Sequence, residues 1–370
     1  MIARRWLLYS SVGFLTACRK KRASGYPGYA FVSNYDGHAV AAVDLNIFAV
    51  TKHIALDAAP AAILAHPQQD AVYVLQPEAG LVAEIQASSL AVRRKVRAGA
   101  KAVDIRLSPD GRSLWVLCRE PRQLVCLALG SLRCEAAIPL DGEPSGFELS
   151  PGGGLAAVCM LASGMVHLID LHARRISARC QLGGKITKAA FRSDGRLLMV
   201  GVADKPSLAM LDPAAGRIMV RLPLALEPLH FCYKADGGQL FITGPGMDAV
   251  TAVYPYTTEV GRTVLAGHAP GAMAECPVPG YLFVANPGSG DVSILDIETM
   301  RVVARASVGA DPGFILITPD NQYALILNRR SGDMAVIRIA AVTARRSRTV
   351  ALFTVIPVGS TPVSAAIGEL

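Results

Sequence analysis

Much of what marks a familiar enzyme or a membrane channel is missing from this chain of 370 residues. Charged residues make up 18% and aromatic residues 6%, too few for a strongly charged nucleic-acid surface or a stacking platform. The seven histidines show no His-x-His or His-x-x-x-His spacing, so no single strand or helical turn offers a ready metal pair. No Cys-x-x-Cys-His attachment site for haem occurs, and no serine nucleophile motif, P-loop or dinucleotide glycine pattern stands out. Gly152-Gly153-Gly154 and Gly237-Gly238 fall where tight turns are expected, which accounts for them by backbone freedom. Beyond the first residues, charges or turn formers interrupt every apolar run before it could cross a bilayer.

What is present is a repeat. Residues 281–322 contain an apolar run ending in Asn286, a Gly-rich turn, an alternating run, a third run, a Gly-x-x-Pro turn from Gly309 to Pro312, and a fourth run closed by Pro319-Asp320. That pattern is four short strands and four turns. The residue before the turn's proline position recurs as Ala59, Lys101, Glu143, Lys185, Glu227, Ala269 and Asp311, each 42 residues after the last, with an eighth copy at Thr361. A single four-stranded sheet cannot bury both faces, so repeats of this period must pack on one another in a closed ring. The fold expected is all-β: an eight-bladed β-propeller of four-stranded blades.

Eight copies of the strand typified by YLFVAN start at YAFVSN (29–34) and end at YALILN (323–328); the copy at 196–201 reads RLLMVG. Eight copies of the strand after the proline end at VSAAI (363–367). The chain therefore begins on a second strand and finishes on a first strand, and the C-terminal strand is expected to join the N-terminal blade. Hydrophobic residues at 52%, with 34 Gly and 23 Pro, suit short buried strands joined by tight turns. Residues 340–356 exceed the period by about eight, and Arg345-Arg346-Ser347-Arg348 is expected to protrude.

The N-terminus reads as a targeting segment. Arg4 and Arg5 precede a short apolar stretch that runs into Leu15-Thr16-Ala17-Cys18, the pattern of a bacterial lipoprotein signal. Residues 1–17 are expected to be removed, Cys18 to carry the lipid, 18–28 to form a basic tether, and 29–370 to form one propeller domain. The expected location is the bacterial cell envelope, periplasmic or at the cell surface, with the lipid in the membrane. Without Arg4 and Arg5 the formal charge falls from +8 to +6, and the excess sits mainly in Arg19-Lys20-Lys21-Arg22 and the 345–348 segment. No nucleic-acid partner is expected from it.

FVSN at 31–34, FVAN at 283–286, LSPDG at 107–111 and SVGADPGFILITPD at 307–320 resemble the YVTN-type, YncE-like repeats of bacterial surface and periplasmic propellers, over about residues 29–367. The resemblance implies the propeller fold and leaves activity open, because related rings include lactonase-like enzymes, the haem d1 domain of nitrite reductases and the copper domain of nitrous oxide reductase.

In such a ring the first strand of each blade lines the central channel, and ligands sit on the face shared by the fourth-to-first and second-to-third turns. Taking the inner strands in register, the polar residues Asp104, Arg106, Glu148, Lys188 and His230 fall on four consecutive blades, while the opposite arc is apolar. At the rim, Lys101, Glu143, Lys185 and Glu227 alternate in sign on those same blades. One reading is an off-centre pocket for a charged or hydroxylated small molecule. The other is structural, with Lys101 paired to Glu143 and Lys185 to Glu227 to fix blade order. His230 and His66 are too few inward histidines for a copper-type cluster, so no metal is assigned; His268 lies in a turn on the ligand face. After Cys18, seven cysteines remain, an odd number without close pairs, expected mainly as small buried hydrophobes.

The function expected is a lipid-anchored binding or scaffold propeller that presents its turn face to a protein or small ligand. The alternative is a lactonase-like enzyme or a haem- or cofactor-handling protein. There His230 would act as base, Glu148 or Asp104 would orient it, and Lys188 or Arg106 would hold an anion.

Overall fold

The computed structural model describes residues 25–343 and 349–368. Cys18, most of the basic tether and the Arg345–Arg348 segment lie outside the described residues. No helix among the described residues is long and apolar enough to cross a membrane.

Eight four-stranded antiparallel sheets follow one another along the chain. Blade 1 holds residues 29–55, and blades 2 to 8 follow in chain order at 62–97, 101–139, 144–181, 186–223, 230–265, 273–307 and 312–357. The inner strands are Ala62–Ala65, Lys101–Leu107, Pro144–Leu149, Ile186–Phe191, His230–Tyr233, Met273–Cys276, Pro312–Ile317 and Pro362–Gly368. Each touches the inner strands on both sides, so they close into a ring around the channel. The last of them pairs antiparallel with Tyr29–Asn34, Tyr29 opposite Gly368, and completes blade 1 as the chain's phase requires.

The blades are held by apolar seams between neighbouring sheets rather than by one central core. Second and third strands are buried almost throughout, as in Tyr323–Asn328, because both their faces meet another sheet. Outer strands alternate, as in Ala91–Arg97, where only one face is covered. The closing strand serves two seams: Ala365 packs with Tyr323 and Phe48 between blades 8 and 1, and Ala366 with Phe31 and Ile63 between blades 1 and 2.

A second 42-residue rhythm lies in the backbone. Phe48, Leu90, Leu132, Arg174, Gly216, Thr258 and Met300 close the turn between third and fourth strands, and all have positive φ. Seven consecutive blades keep this left-handed residue. In blade 8 the corresponding place, Val342, lies in the helix Ile339–Thr343. Beyond the insertion the chain returns along the neighbouring blade, with Thr349 bridged to Arg305 of blade 7.

Strand boundaries differ from the sequence reading at one place that matters. In blade 5 the second strand is Leu198–Val202, not 196–201. The residues closing the second strands are then Asn34, Gln76, Cys118, Met160, Val202, Gly244, Asn286 and Asn328, at an unbroken 42-residue spacing. Four of them tie their blade to the chain entering it. Asn34 Nδ2 donates to Val358 O at 2.7 Å, and Gln76 Oε1 accepts from the Ala58 N–H at 2.8 Å. Asn286 Oδ1 accepts from the Gly267 N–H at 3.1 Å, and Asn328 Nδ2 donates to Val308 O at 2.9 Å. Cys118, Met160, Val202 and Gly244 have no side chain suited to this bond. By this position the ring divides into a stapled arc, blades 7, 8, 1 and 2, and an arc without this staple, blades 3 to 6, where Gln123 in blade 3 and Asp204 in blade 5 reach the entering backbone instead.

Candidate functional site

The five predicted channel residues fall on the arc that lacks this staple, blades 3 to 6. Asp104 and Arg106 belong to blade 3, Glu148 to blade 4, Lys188 to blade 5 and His230 to blade 6, all half-buried. The pairing of the inner strands shifts near their upper ends in blades 1, 3, 4, 5 and 8, at Val363, Val103, Ser145, Thr187–Lys188 and Gly313. Such bulges break strict alternation, and two successive residues there are half-exposed to the channel. The period-2 reading missed the residue just after the proline position for this reason.

The lower three residues form a closed set. Arg106 Nη1 lies 2.7 Å from Asp104 Oδ1, and its Nε lies 3.5 Å from Glu148 Oε2. The guanidinium also stands 5.6 Å from the centre of the Phe147 ring. Burial alone would lower the Arg106 pKa, but the adjacent carboxylates of Asp104 and Glu148 outweigh it and hold the charge more firmly. Arg106 therefore bridges blades 3 and 4, and both carboxylates are occupied by it.

Nearer the turn face the arrangement is open. Lys188 has no ion pair among the described residues, and neither ring nitrogen of His230 has a hydrogen-bond partner there. Burial pushes the His230 imidazole below its ordinary pKa, and the positive charges of Lys188 and Arg329 push the same way. The imidazole is accordingly neutral near pH 7. Its Nε2 faces Gly271 of blade 7, where a Cβ would stand 3.7 Å away. Arg329 was not anticipated from the sequence. It follows Asn328 in blade 8, its Nε and one Nη bind Asp311 at 3.0 and 2.7 Å, and it lies over Gly313.

The rim does not pair as expected. Lys101 Nζ lies 3.5 Å from Glu120 of its own blade, and Glu143 lies 3.1 Å from Arg119 Nε of the preceding blade. Lys185 has its backbone N–H held by Asp204, and Glu227 donates its backbone N–H to Pro245 O. The physical reason is that the turn after each second strand rises beside the rim, so partners come from that turn rather than from the next rim residue. Arg119 and Arg329 occupy the same repeat position, and tabulating that column of the sequence would have found both.

The remaining histidines are mostly accounted for. His66 donates from Nε2 to Gly111 O at 2.9 Å and accepts the Gln68 N–H at Nδ1, so the fold satisfies it. His167 is fully buried, 3.2 Å from Asp141, and burial lowers its pKa despite that carboxylate. His268 is exposed and pairs with Asp248 at 2.9 Å. Among the described residues no group of three or more His, Cys, Asp or Glu converges. The seven cysteines from Cys118 to Cys276 are free thiols; Cys134 is exposed, Cys232 half-buried and the others buried.

Two open clefts lie off the channel. One of about 890 Å³ is lined by Gly183, Asp204 and Arg221 at the outer edge of blade 5. Another of about 700 Å³ surrounds His66 and Asp70 on the far face. Neither is lined by any of the five predicted channel residues; an axial channel is open at both ends and is recognised by what lines it.

No family model and no curated protein matches the chain. Solved structures do. The structure of dihydro-haem d1 dehydrogenase NirN in complex with DHE superposes with a TM-score of 0.78 at 18% identity, covering 92% of this chain and 75% of that one. Hydrazine synthase from Kuenenia stuttgartiensis gives 0.61 at 20% identity, covering 75% and 95%. A functionally unknown protein from Desulfotomaculum acetoxidans gives 0.63 at 11% identity, covering 92% and 99%. At these identities what is shared is the propeller fold, and the chain is established as an eight-bladed β-propeller closed by its C-terminal strand.

Proposed function

We propose that the chain is a binding propeller that takes a small anionic ligand at the turn-side mouth of its channel, beside blades 5 to 8. The observation that carries this is the contrast between two kinds of cation in one channel. Arg106 is neutralised by two carboxylates, whereas Lys188 lacks a counter-charge and His230 lacks a hydrogen-bond partner among the described residues. Half-buried polar groups left in this state are costly unless a ligand completes them. Arg329 adds further N–H donors, held in place by Asp311.

A haem-type macrocycle is one specific form of this ligand, favoured by the likeness to NirN, whose structure holds DHE. The residues fit it. His230 would turn its free nitrogen toward the metal, and Lys188 and Arg329 would hold carboxylates at the ring edge. The bound group would supply redox or small-ligand chemistry, while these side chains bind and orient it. A lactonase-like reaction with His230 oriented by Glu148 or Asp104 has less support, because Arg106 engages both carboxylates.

The lipid expected on Cys18 would hold the propeller at a membrane of the bacterial envelope. The described chain starts with Gly25 against Leu45 and Asn46, in a turn on the face opposite the channel mouth. Replacement of Cys18 by Ser should move the protein from the membrane to the soluble fraction.

The binding reading is tested by thermal unfolding of the full chain with citrate and, separately, haemin. A ligand at about 100 times its dissociation constant stabilises by roughly 2.7 kcal/mol. The midpoint should rise with at least one probe, and Lys188→Met combined with His230→Gln should abolish the rise. No shift with either probe, or a shift indifferent to the double substitution, overturns the reading.

A further inference from the structure

We infer that the ligand of this mouth is an amphipathic anion, with its charged group at Lys188 and its apolar body against Leu161 and Leu229. This rests on the binding reading above and names the ligand class.

Leu161 and Leu229 belong to blades 4 and 6, which stand on either side of blade 5 and Lys188. Leu161 is 39% and Leu229 42% exposed, in a chain whose leucines are otherwise mostly buried. Scattered exposed leucines need no explanation, but these two hold particular repeat positions. Leu161 takes the place that Arg119 and Arg329 take in blades 3 and 8, directly after a second strand at the mouth. Its backbone N–H donates to Glu143 O at 2.8 Å, which anchors it beside the rim. Leu229 directly precedes His230, at the repeat position that is bulged in blades 1, 3, 4, 5 and 8. The same position in other blades holds Ala61, Val103, Ser145, Thr187, Gly271, Gly313 and Val363, none of them as large.

Leu229 also lies beside Gly244, just past the second strand of its blade, where a Cβ on the glycine would stand 3.1 Å from Leu229 Cβ. Met247 in the turn that follows is exposed by 37% as well. A strongly hydrated anion would satisfy Lys188 and leave this apolar collar in water. An anion with an acyl chain or a flat ring system satisfies both, because the charge meets the ammonium while the body removes the leucines from water. Those two kinds of body share the same recognition chemistry.

Isothermal titration calorimetry of the full chain with laurate, protoporphyrin IX and citrate tests this. Laurate or protoporphyrin IX should bind more tightly than citrate, and Leu161→Ser with Leu229→Ser should weaken the apolar probe about tenfold more than citrate. Tighter binding of laurate identifies an acyl body, and tighter binding of the porphyrin identifies a ring system; either supports the inference. Citrate binding as tightly as both apolar probes, or equal losses for all probes in the leucine variant, overturns it and leaves the anion site standing. Indifference of every probe to Lys188→Met removes the site itself. Both leucines are solvent-exposed, and unchanged unfolding midpoints of the variant confirm that it folds.

Discussion

The guanidinium of Arg329 lies against the backbone of Gly313, where a Cβ would come within 2.6 Å of Nε. Glycine at this bulged position is what allows the arginine to reach Asp311 with two hydrogen bonds. In Gly313→Ala the arginine must leave that position. Because the pair is partly exposed, stability should fall by less than about 1 kcal/mol. Anion affinity should fall several-fold by calorimetry, so the variant separates a binding role from a structural one.

The amide of Asn286 is fully buried and makes three bonds, to the Gly267 N–H, Asp291 Oδ1 and Ser293 Oγ. Asn286→Ala leaves those partners without it and should cost about 1–3 kcal/mol in urea unfolding. At the entries to blades 4 and 6 no side chain makes such a bond among the described residues, whereas Gln123 reaches Ala98 O in blade 3 and Asp204 takes the Lys185 N–H in blade 5. Backbone amides in the turns entering blades 4 and 6 should exchange with deuterium faster than those entering blades 7, 8, 1 and 2.

Arg106 stands between two carboxylates on adjacent blades. Arg106→Met would leave Asp104 and Glu148 without their counter-charge, and the half-buried setting sets the expected loss at roughly 1–3 kcal/mol at pH 7. Citrate binding at Lys188 should survive, which a shared ligand site at Arg106 would not permit.

His167 and His230 both have pKa values below the ordinary 6.5, chiefly through burial. Below pH 6.5 the unfolded chain therefore binds more protons than the folded one. Stability should be level above that pH and decline as pH falls from about 6.5 through the lowered folded values. His167→Gln combined with His230→Gln should flatten the decline in urea midpoints measured between pH 7 and 5; an unchanged slope would assign it to other groups.

Removal of residues 362–370 would take away the inner strand of blade 1 and expose the edge of Tyr29–Asn34. The seams around Ala365 and Ala366 would open together. The truncated chain should lose its cooperative thermal transition and associate through the uncovered edge, seen by light scattering.

Much of this architecture was readable because it is periodic. The 42-residue recurrence of one turn, from Ala59 through Asp311, marks where each blade starts, and the closing phase follows from a chain that begins on YAFVSN and ends on VSAAI. The polar residues Asp104 to His230 could be placed on one arc by register alone. Their partners could not, since Arg106 choosing Asp104 and Glu148, and Glu143 choosing Arg119, depend on side chains converging from different strands. Arg329 was missed because its turn is remote from His230 in sequence and joins it only across the ring. The left-handed residues at Phe48 through Met300 were hidden because Phe, Leu, Arg, Thr and Met carry no glycine-like signature there.

By itself, then, the sequence determined the number of blades, the strand order within each and the way the ring closes. These follow from hydrophobic period and turn chemistry, which are local properties repeated along the chain. Only the tertiary structure decided which channel charges are neutralised and which stand open. That is set by distances of a few ångströms between side chains from different blades, and no spacing along the chain encodes them.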